Sequence, residues 1–276
     1  MTNSITQNAL RALLYEVTTL PKPGLVDPAN PGPHPDMNIY TFIDSSLSLE
    51  HYFNKATQIG QTFTGTDLST MFTQLRQEGL LAEEEMLAAT NGVNTHKGAI
   101  FALGIFVCAQ SYCKKNQAEL FTTIARMCHG LVEHDLEKNN QLQTAGEREF
   151  QQYSIGGARA QAEQGYPIVK KYALPFLKQS TGTLQCRLLD TLMKIATVTV
   201  DSNLIKRAGN YDVINWLHSC ANHYLALGGY ATVSGKKYLL KISQICLDHN
   251  YSLGGCADLL IVTIFVALEQ GQLIKK

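Results

Sequence analysis

The chain has 276 residues, 45% of them hydrophobic, with 23 Lys and Arg against 23 Asp and Glu and a formal net charge of +0. Such a chain can bury a substantial core. Its neutral balance excludes a general electrostatic grip on nucleic acid or acidic membranes, so any anionic ligand must be held by a local cluster. The seven cysteines (Cys108, Cys113, Cys128, Cys186, Cys220, Cys246, Cys256) include no Cys-x-x-Cys pair and read as small buried hydrophobes in a reducing compartment. Met1 to Leu14 lacks a basic region followed by an apolar run, and the longest apolar run, from Gly98, falls short of the ~20 residues a membrane span needs. The expected location is the cytoplasm.

Asn3 to Leu20 carries Ile5, Ala9, Leu13 and Val17 at helical spacing, and Pro21-Lys-Pro-Gly24 stops it. The stretch to Met37 holds Pro21, Pro23, Pro28, Pro31, Pro33 and Pro35, which predicts a rigid, extended, ordered loop. Helices are expected over Asn38 to Thr62, Asp67 to Gly79, Ala82 to Ala89, about His96 to Cys113, and Glu119 to Leu136. They continue over Thr144 to Gln164 with a break at Gly156-Gly157, then Pro167 to Gln179 with a kink at Pro175, and Thr183 to Val200. Tyr211 to Leu227, Gly235 to Asp248 and Gly255 to Gln270 complete the set. The only short β-like run is Val198-Thr-Val200, at a helix end, and no hairpin signal stands out. The expected fold is a single all-α domain over residues 1–276, built round an apolar helix that follows Asn91-Gly-Val-Asn-Thr-His-Lys97. Gly98 to Ala109 contains no charge, so that helix should be central. Thr95 is its expected N-cap. His96 and Lys97 in its first turn oppose the helix dipole, a conflict that a bound phosphate would remove.

Several familiar motifs fail. Gly229 to Lys237 has one residue too many for a P-loop. His129/His134 and His218/His223 are spaced i,i+5, off a common helical face, and are poor zinc candidates. There is no Gly-x-Ser-x-Gly elbow. What remains is a set of polar and glycine islands at helix ends: Lys22-Pro-Gly-Leu-Val-Asp27, Gly32-x-His34-x-Asp36-Met37, Gly92 to Gly98, Gly156-Gly-Ala-Arg159, Asp201-Ser-Asn203 with Arg207, and Gly254-Gly-Cys-Ala-Asp258. Each alone reads equally well as a cap or turn. Together they are an inventory for holding a polyphosphate with Mg²⁺.

Read end to end, these islands resemble the triphosphoribosyl-dephospho-coenzyme A synthase family, from about Glu16 to Leu260. The most specific matches are Pro-Lys-Pro-Gly-Leu-Val-Asp27 and Val-Asn-Thr-His-Lys-Gly98. Phe42 and Ser45, Glu85-Met86, and Gly254-Gly-x-Ala-Asp-Leu-Leu260 are further matches. Two stretches depart from the family's pattern. Gln161 stands where it has Glu, and Cys256 and Leu253 stand where it has Ser and Pro.

The resemblance implies that ATP gives its ribose, triphosphate attached, to the ribose 2′-hydroxyl of 3′-dephospho-coenzyme A, and that adenine leaves. The product would be the prosthetic-group precursor of citrate lyase, or in a related branch of malonate decarboxylase, passed on toward the acyl carrier subunit. Such a sugar carbon reacts through an oxocarbenium-like transition state. Under that resemblance Lys22, His96, Lys97, Arg159 and Arg207 contact phosphates, and Asn94 and Asn203 position hydroxyls or the base. Asp27, Asp36, Asp201 and Asp258 are the catalytic carboxylates, His34 is a proton donor or phosphate ligand, and Asp36 and Glu85 are the Mg²⁺ candidates. A homodimer is expected. Two other readings use the same inventory: an N-glycoside hydrolase of nucleotides or ADP-ribose conjugates, and a catalytically decayed nucleotide or coenzyme A binding protein.

Overall fold

The computed structural model describes residues 4–137 and 156–273, and among them every regular element is helical. The helices are α1 (Ser4–Thr18), α2 (Ile39–Ser48), α3 (Glu50–Thr62), α4 (Leu68–Ala89), α5 (Lys97–Asn116), α6 (Leu120–Met127), α7 (Gly157–Glu163), α8 (Leu174–Gln179), α9 (Leu184–Ala196), α10 (Ser202–Ala208), α11 (Val213–Ala226), α12 (Val233–Asp248) and α13 (Gly254–Glu269). The all-α expectation holds.

Two helices are apolar on every side and form the centre. In α5 buried residues run from Ala99 to Ala109, broken only at Phe101, and in α13 they run unbroken from Leu259 to Leu268. A helix without a polar face has to be enclosed by others. Helix α3 packs on α5, and α1 packs on α13. The α3–α5 crossing is close because both helices place glycine there. A β-carbon on Gly60 would strike the Cys108 carbonyl, and one on Gly104 would strike the Tyr52 hydroxyl, which donates to the Ile100 carbonyl at 3.0 Å.

The structure corrects several expected boundaries. Asn38 to Thr62 is two helices, because the Ser46 and Ser48 hydroxyls take the Phe42 and Ser45 carbonyls and the chain turns at Leu49. Leu68–Ala89 is one helix: burial of Leu75, Ala82 and Met86 on one side carries it through Gly79, whose cost is about 1 kcal/mol. The predicted Glu119 to Leu136 helix stops at Met127, ahead of Gly130 at φ 77° and a π-helical turn over Glu133–Glu137. Pro175 sits in the first turn of α8, after a π-helical turn over Val169–Ala173. Val198-Thr-Val200 closes α9, where the Thr199 hydroxyl bonds the Ile195 carbonyl. The greater part of the predicted Thr144 to Gln164 helix lies outside the described residues.

Replacing Gly60 with Ala meets backbone on α5 that cannot swing aside. It should destabilise the fold by about 1–3 kcal/mol, read as a lower urea midpoint at an unchanged slope.

Candidate active site

The first turn of α5 and the first turns of α13 meet. Gly98 is the contact point: an added β-carbon there would overlap the Asp258 carboxylate. Asp258 is partly accessible, yet its carboxyl is enclosed by protein. Burial first, then the nearby Asp201 and Glu16 carboxylates, push its pKa well above the ordinary range. Asp258 therefore keeps its proton more readily than any surface carboxylate.

Asp201 ties α10 to α13. One carboxylate oxygen accepts the N–H of Asn203 at 3.0 Å and of Leu204 at 3.2 Å, capping α10, and the other accepts the N–H of Cys256 at 2.8 Å. The residue is 1% exposed, and its burial raises its pKa against the pull of those backbone bonds. Gly254 and Gly255 allow the approach, since a β-carbon would stand 2.7 Å from the Asn203 side chain or 3.1 Å from Asp201.

The proline-rich loop joins the same region. Leu253 N–H donates to the Gly24 carbonyl at 3.3 Å, and His34 Nε2 lies 3.0 Å from the Ser252 hydroxyl. Arg207 on α10 reaches His34 Nδ1 at 3.4 Å. Burial and the Arg207 charge lower the His34 pKa, against an opposing pull from Asp36. The ring is therefore a poor proton donor at neutral pH. It serves as a neutral tie between the loop, α10 and the approach to α13.

Other expected residues take structural positions. Asp27 accepts the N–H of Lys22 at 2.9 Å, of Ala29 at 2.8 Å and of Asn30 at 3.0 Å, so it braces the loop and is not a free base. Lys22 is 4% exposed and paired with Glu16 at 2.5 Å, which removes it as a surface phosphate ligand. Arg159 bonds Asp135 at 3.1 Å, and Arg76 pairs with the same carboxylate. This second polar cluster brings together α4, the π-helical turn and α7. Glu85 is exposed beside Glu84, on the outer face of α4.

Within the loop before α5, the Asn94 side chain accepts the Lys97 N–H at 3.2 Å. It performs the capping expected of Thr95, whose hydroxyl instead donates to Ser45 Oγ at 2.7 Å. Lys97 is exposed and pairs with Glu83 at 2.7 Å. His96 is the N-cap residue, 2% exposed, with Nδ1 2.6 Å from Ser45 Oγ. Burial, and then the charge of Lys22, bring its pKa down to about 3, so it is a neutral ring and not a cationic phosphate ligand. Asp36, Asn203 and Arg207 are exposed.

Among the described residues no group of three or more His, Cys, Asp or Glu side chains is placed to hold a metal ion. Asp36 and Glu85, the expected Mg²⁺ carboxylates, both lie at the surface. Two open surface hollows, one around Lys114 and Lys115 and one around Arg126 and His129, are lined by none of the island residues.

The reading of the sequence gave Glu16, Ser45 and Ser252 no role. Glu16 left a signal: it lies on the same helical face as Ala9, Ala12 and Leu13, where an unpaired charge would be costly. Nothing in the sequence pairs Ser45 with His96, because they are 51 positions apart.

Fold and site together define an all-helical protein whose polar residues gather where helix N-termini meet, a class suited to anionic ligands. The chain belongs to the ATP:dephospho-CoA triphosphoribosyl transferase family, which it matches over residues 2–275. It is 51% identical over 273 residues to a probable 2-(5''-triphosphoribosyl)-3'-dephosphocoenzyme-A synthase of Lactiplantibacillus plantarum, covering 97% of this chain and 98% of that protein. It is 50% identical to Protein CitXG of Leuconostoc mesenteroides subsp. cremoris, with 99% of this chain spanning 61% of that longer protein. A similarly described probable synthase of Citrobacter koseri is 38% identical over 94% of this chain and 88% of its own length. No solved structure matches the chain.

Asp258→Asn tests the enclosed carboxyl. Because the folded pKa is raised, the stability of the acid form is complete below the unfolded value and is lost as pH rises through the folded value. The amide does not titrate. The variant should therefore melt above the wild type at neutral pH, and the gap should close as the pH falls toward about 4. A gap that widens on acidification contradicts the assignment.

Proposed function

We propose that this protein transfers the 5-triphosphoribosyl group of ATP to the ribose 2′-hydroxyl of 3′-dephospho-coenzyme A and releases adenine. One observation carries the reading beyond family membership: the first turns of α5 and α13 meet around the Asp258 carboxyl. The N-terminal ends of helices carry partial positive charge and attract phosphate. Lys97 stands on the α5 turn and can exchange Glu83 for a phosphate oxygen, and Arg207 extends the cationic rim from α10.

The carboxylates separate by position. Asp27 and Asp201 have both oxygens engaged by backbone N–H groups. Asp258, held toward its protonated form, is the acid for the departing adenine. Asp36, exposed beside His34, is the candidate to take the proton of the attacking hydroxyl. Mg²⁺ enters with the triphosphate, whose oxygens supply ligands that the protein does not.

The same reading places the protein in the cytoplasm and sends its product toward the acyl carrier subunit of citrate lyase. Among the described residues no helix is long and apolar enough to cross a membrane. The expected homodimer draws on exposed Tyr40 and Leu47 of α2 and Leu80 and Leu81 of α4, and sedimentation at the monomer mass would count against it.

The direct assay mixes ATP, Mg²⁺ and dephospho-coenzyme A and looks for free adenine and the coupled product by mass. Equal adenine release without the acceptor would mean hydrolysis, and ATP binding without release would mean a binding protein. Lys97→Ala should lower kcat/KM by about 1.5–3 kcal/mol, roughly tenfold to 150-fold. Unchanged turnover in both Lys97→Ala and Asp36→Ala would refute the site.

A further inference from the structure

His96 is a buried imidazole with one nitrogen occupied and the other unpartnered. Nδ1 meets Ser45 Oγ at 2.6 Å, whereas Nε2 is buried with no hydrogen-bond partner among protein atoms. A buried donor or acceptor left unpaired costs about 1–3 kcal/mol. His96 is the N-cap of α5, two residues before the Gly98 contact with the Asp258 carboxyl, and an unpaired buried atom at that place points to a ligand.

The hydroxyls around it set the direction of the chain. Thr95 Oγ1 donates to Ser45 Oγ at 2.7 Å, which leaves the Ser45 proton to be given onward. The acceptor within reach is His96 Nδ1. An imidazole that accepts at Nδ1 and is neutral carries its one proton on Nε2. Its neutrality follows from its burial and from the Lys22 charge, which is paired with Glu16 nearby. The Phe42 ring packs edge-on against the imidazole, with centroids 4.9 Å apart, and fixes its plane from the α2 side. His96 is thus held by Phe42 and Ser45 of α2 and offers a single N–H.

We propose that Thr95 and Ser45 hold His96 in the tautomer protonated on Nε2, and that this N–H donates to a ring nitrogen of the purine as it leaves. Two features favour the base over the phosphates. The donor is uncharged and lies in an enclosed, partly aromatic setting, whereas the exposed cation of the same turn is its neighbour Lys97. As the glycosidic bond breaks, negative charge grows on the purine ring, and a fixed neutral donor stabilises it without reorganising. His96 is then a catalytic residue that touches the leaving group, and Ser45 and Thr95 are positioning residues. The assignment rests on the transferase reading above and specifies how that site handles the base.

Nitrogen-15 NMR of the full chain tests it, with the His96 ring signals identified by comparison with His96→Gln. The expected result is a protonated Nε2 and a bare Nδ1 at neutral pH, giving way to mixed tautomers in Ser45→Ala. Adding ATP should shift the Nε2–H signal, and adding inorganic tripolyphosphate, which lacks sugar and base, should leave it in place. A proton on Nδ1, an equal response to tripolyphosphate, or no response when dialysis shows ATP bound would each overturn the proposal. In turnover, Ser45→Ala should lower kcat about tenfold with a smaller change in the KM for ATP. His96→Gln, which keeps an N–H near the Nε2 position, should outperform His96→Asn, and the reverse order would count against the assignment. A chain that shifts its Nε2–H on ATP but releases no adenine refutes the transferase reading and leaves the base contact standing. A chain that binds neither ligand refutes both.

Discussion

Gly98 has no side chain, and the Asp258 carboxyl occupies the space that a β-carbon would take. This contact brings together the N-terminal ends of the two apolar helices on which the molecule is built. Helices α5 and α13 are hydrophobic all round, so the rest of the chain must wrap them. Their N-terminal ends, with unsatisfied N–H groups, meet polar material at the edge of the core, and their C-terminal ends are tied by the Lys114–Glu269 pair at 2.7 Å.

Enclosing an acid there has consequences for the neighbours. Asp258 is pushed toward its neutral form by burial and by two further carboxylates, Asp201 and Glu16. Each of those is in turn committed: Asp201 to the backbone of α10 and α13, and Glu16 to Lys22. Lys22 acts on His96 and helps keep it uncharged. The buried polar groups therefore constrain one another's protonation, whereas Lys97 and Arg207 stand exposed nearby, on Glu83 and His34. An enclosed acid and a neutral imidazole near exposed cations suit a reaction in which a polyphosphate is held still while a base departs from a sugar.

The two departures from the family's sequence pattern fall at separate places. Cys256 is wholly buried, its N–H is held by Asp201, and burial raises its thiol pKa, so the residue is retained as packing beneath the site. Gln161 lies in α7 two residues after Arg159, and the buried oxygen of its side-chain amide has no partner. Its neighbour Glu163 accepts the N–H groups of Gly130 and Val132 and so braces the chain after α6. Glu163 is thereby occupied and does not replace the missing carboxylate.

The all-helical class, the central position of Gly98 to Ala109 and the absence of a helix across the proline segment between α1 and α2 were legible in the sequence. Each follows from local chemistry: apolar periodicity, an uncharged run, or prolines that restrict φ. The islands at helix ends were legible for the same reason, since glycine and capping residues mark where helices start and stop. The roles within them were not. Whether Asp27 is a base or a brace, whether Lys22 meets a phosphate or Glu16, and which nitrogen of His96 is free all depend on partners up to 51 positions away. Protonation and availability are set by burial and by the groups packed alongside, and only the folded chain brings those together.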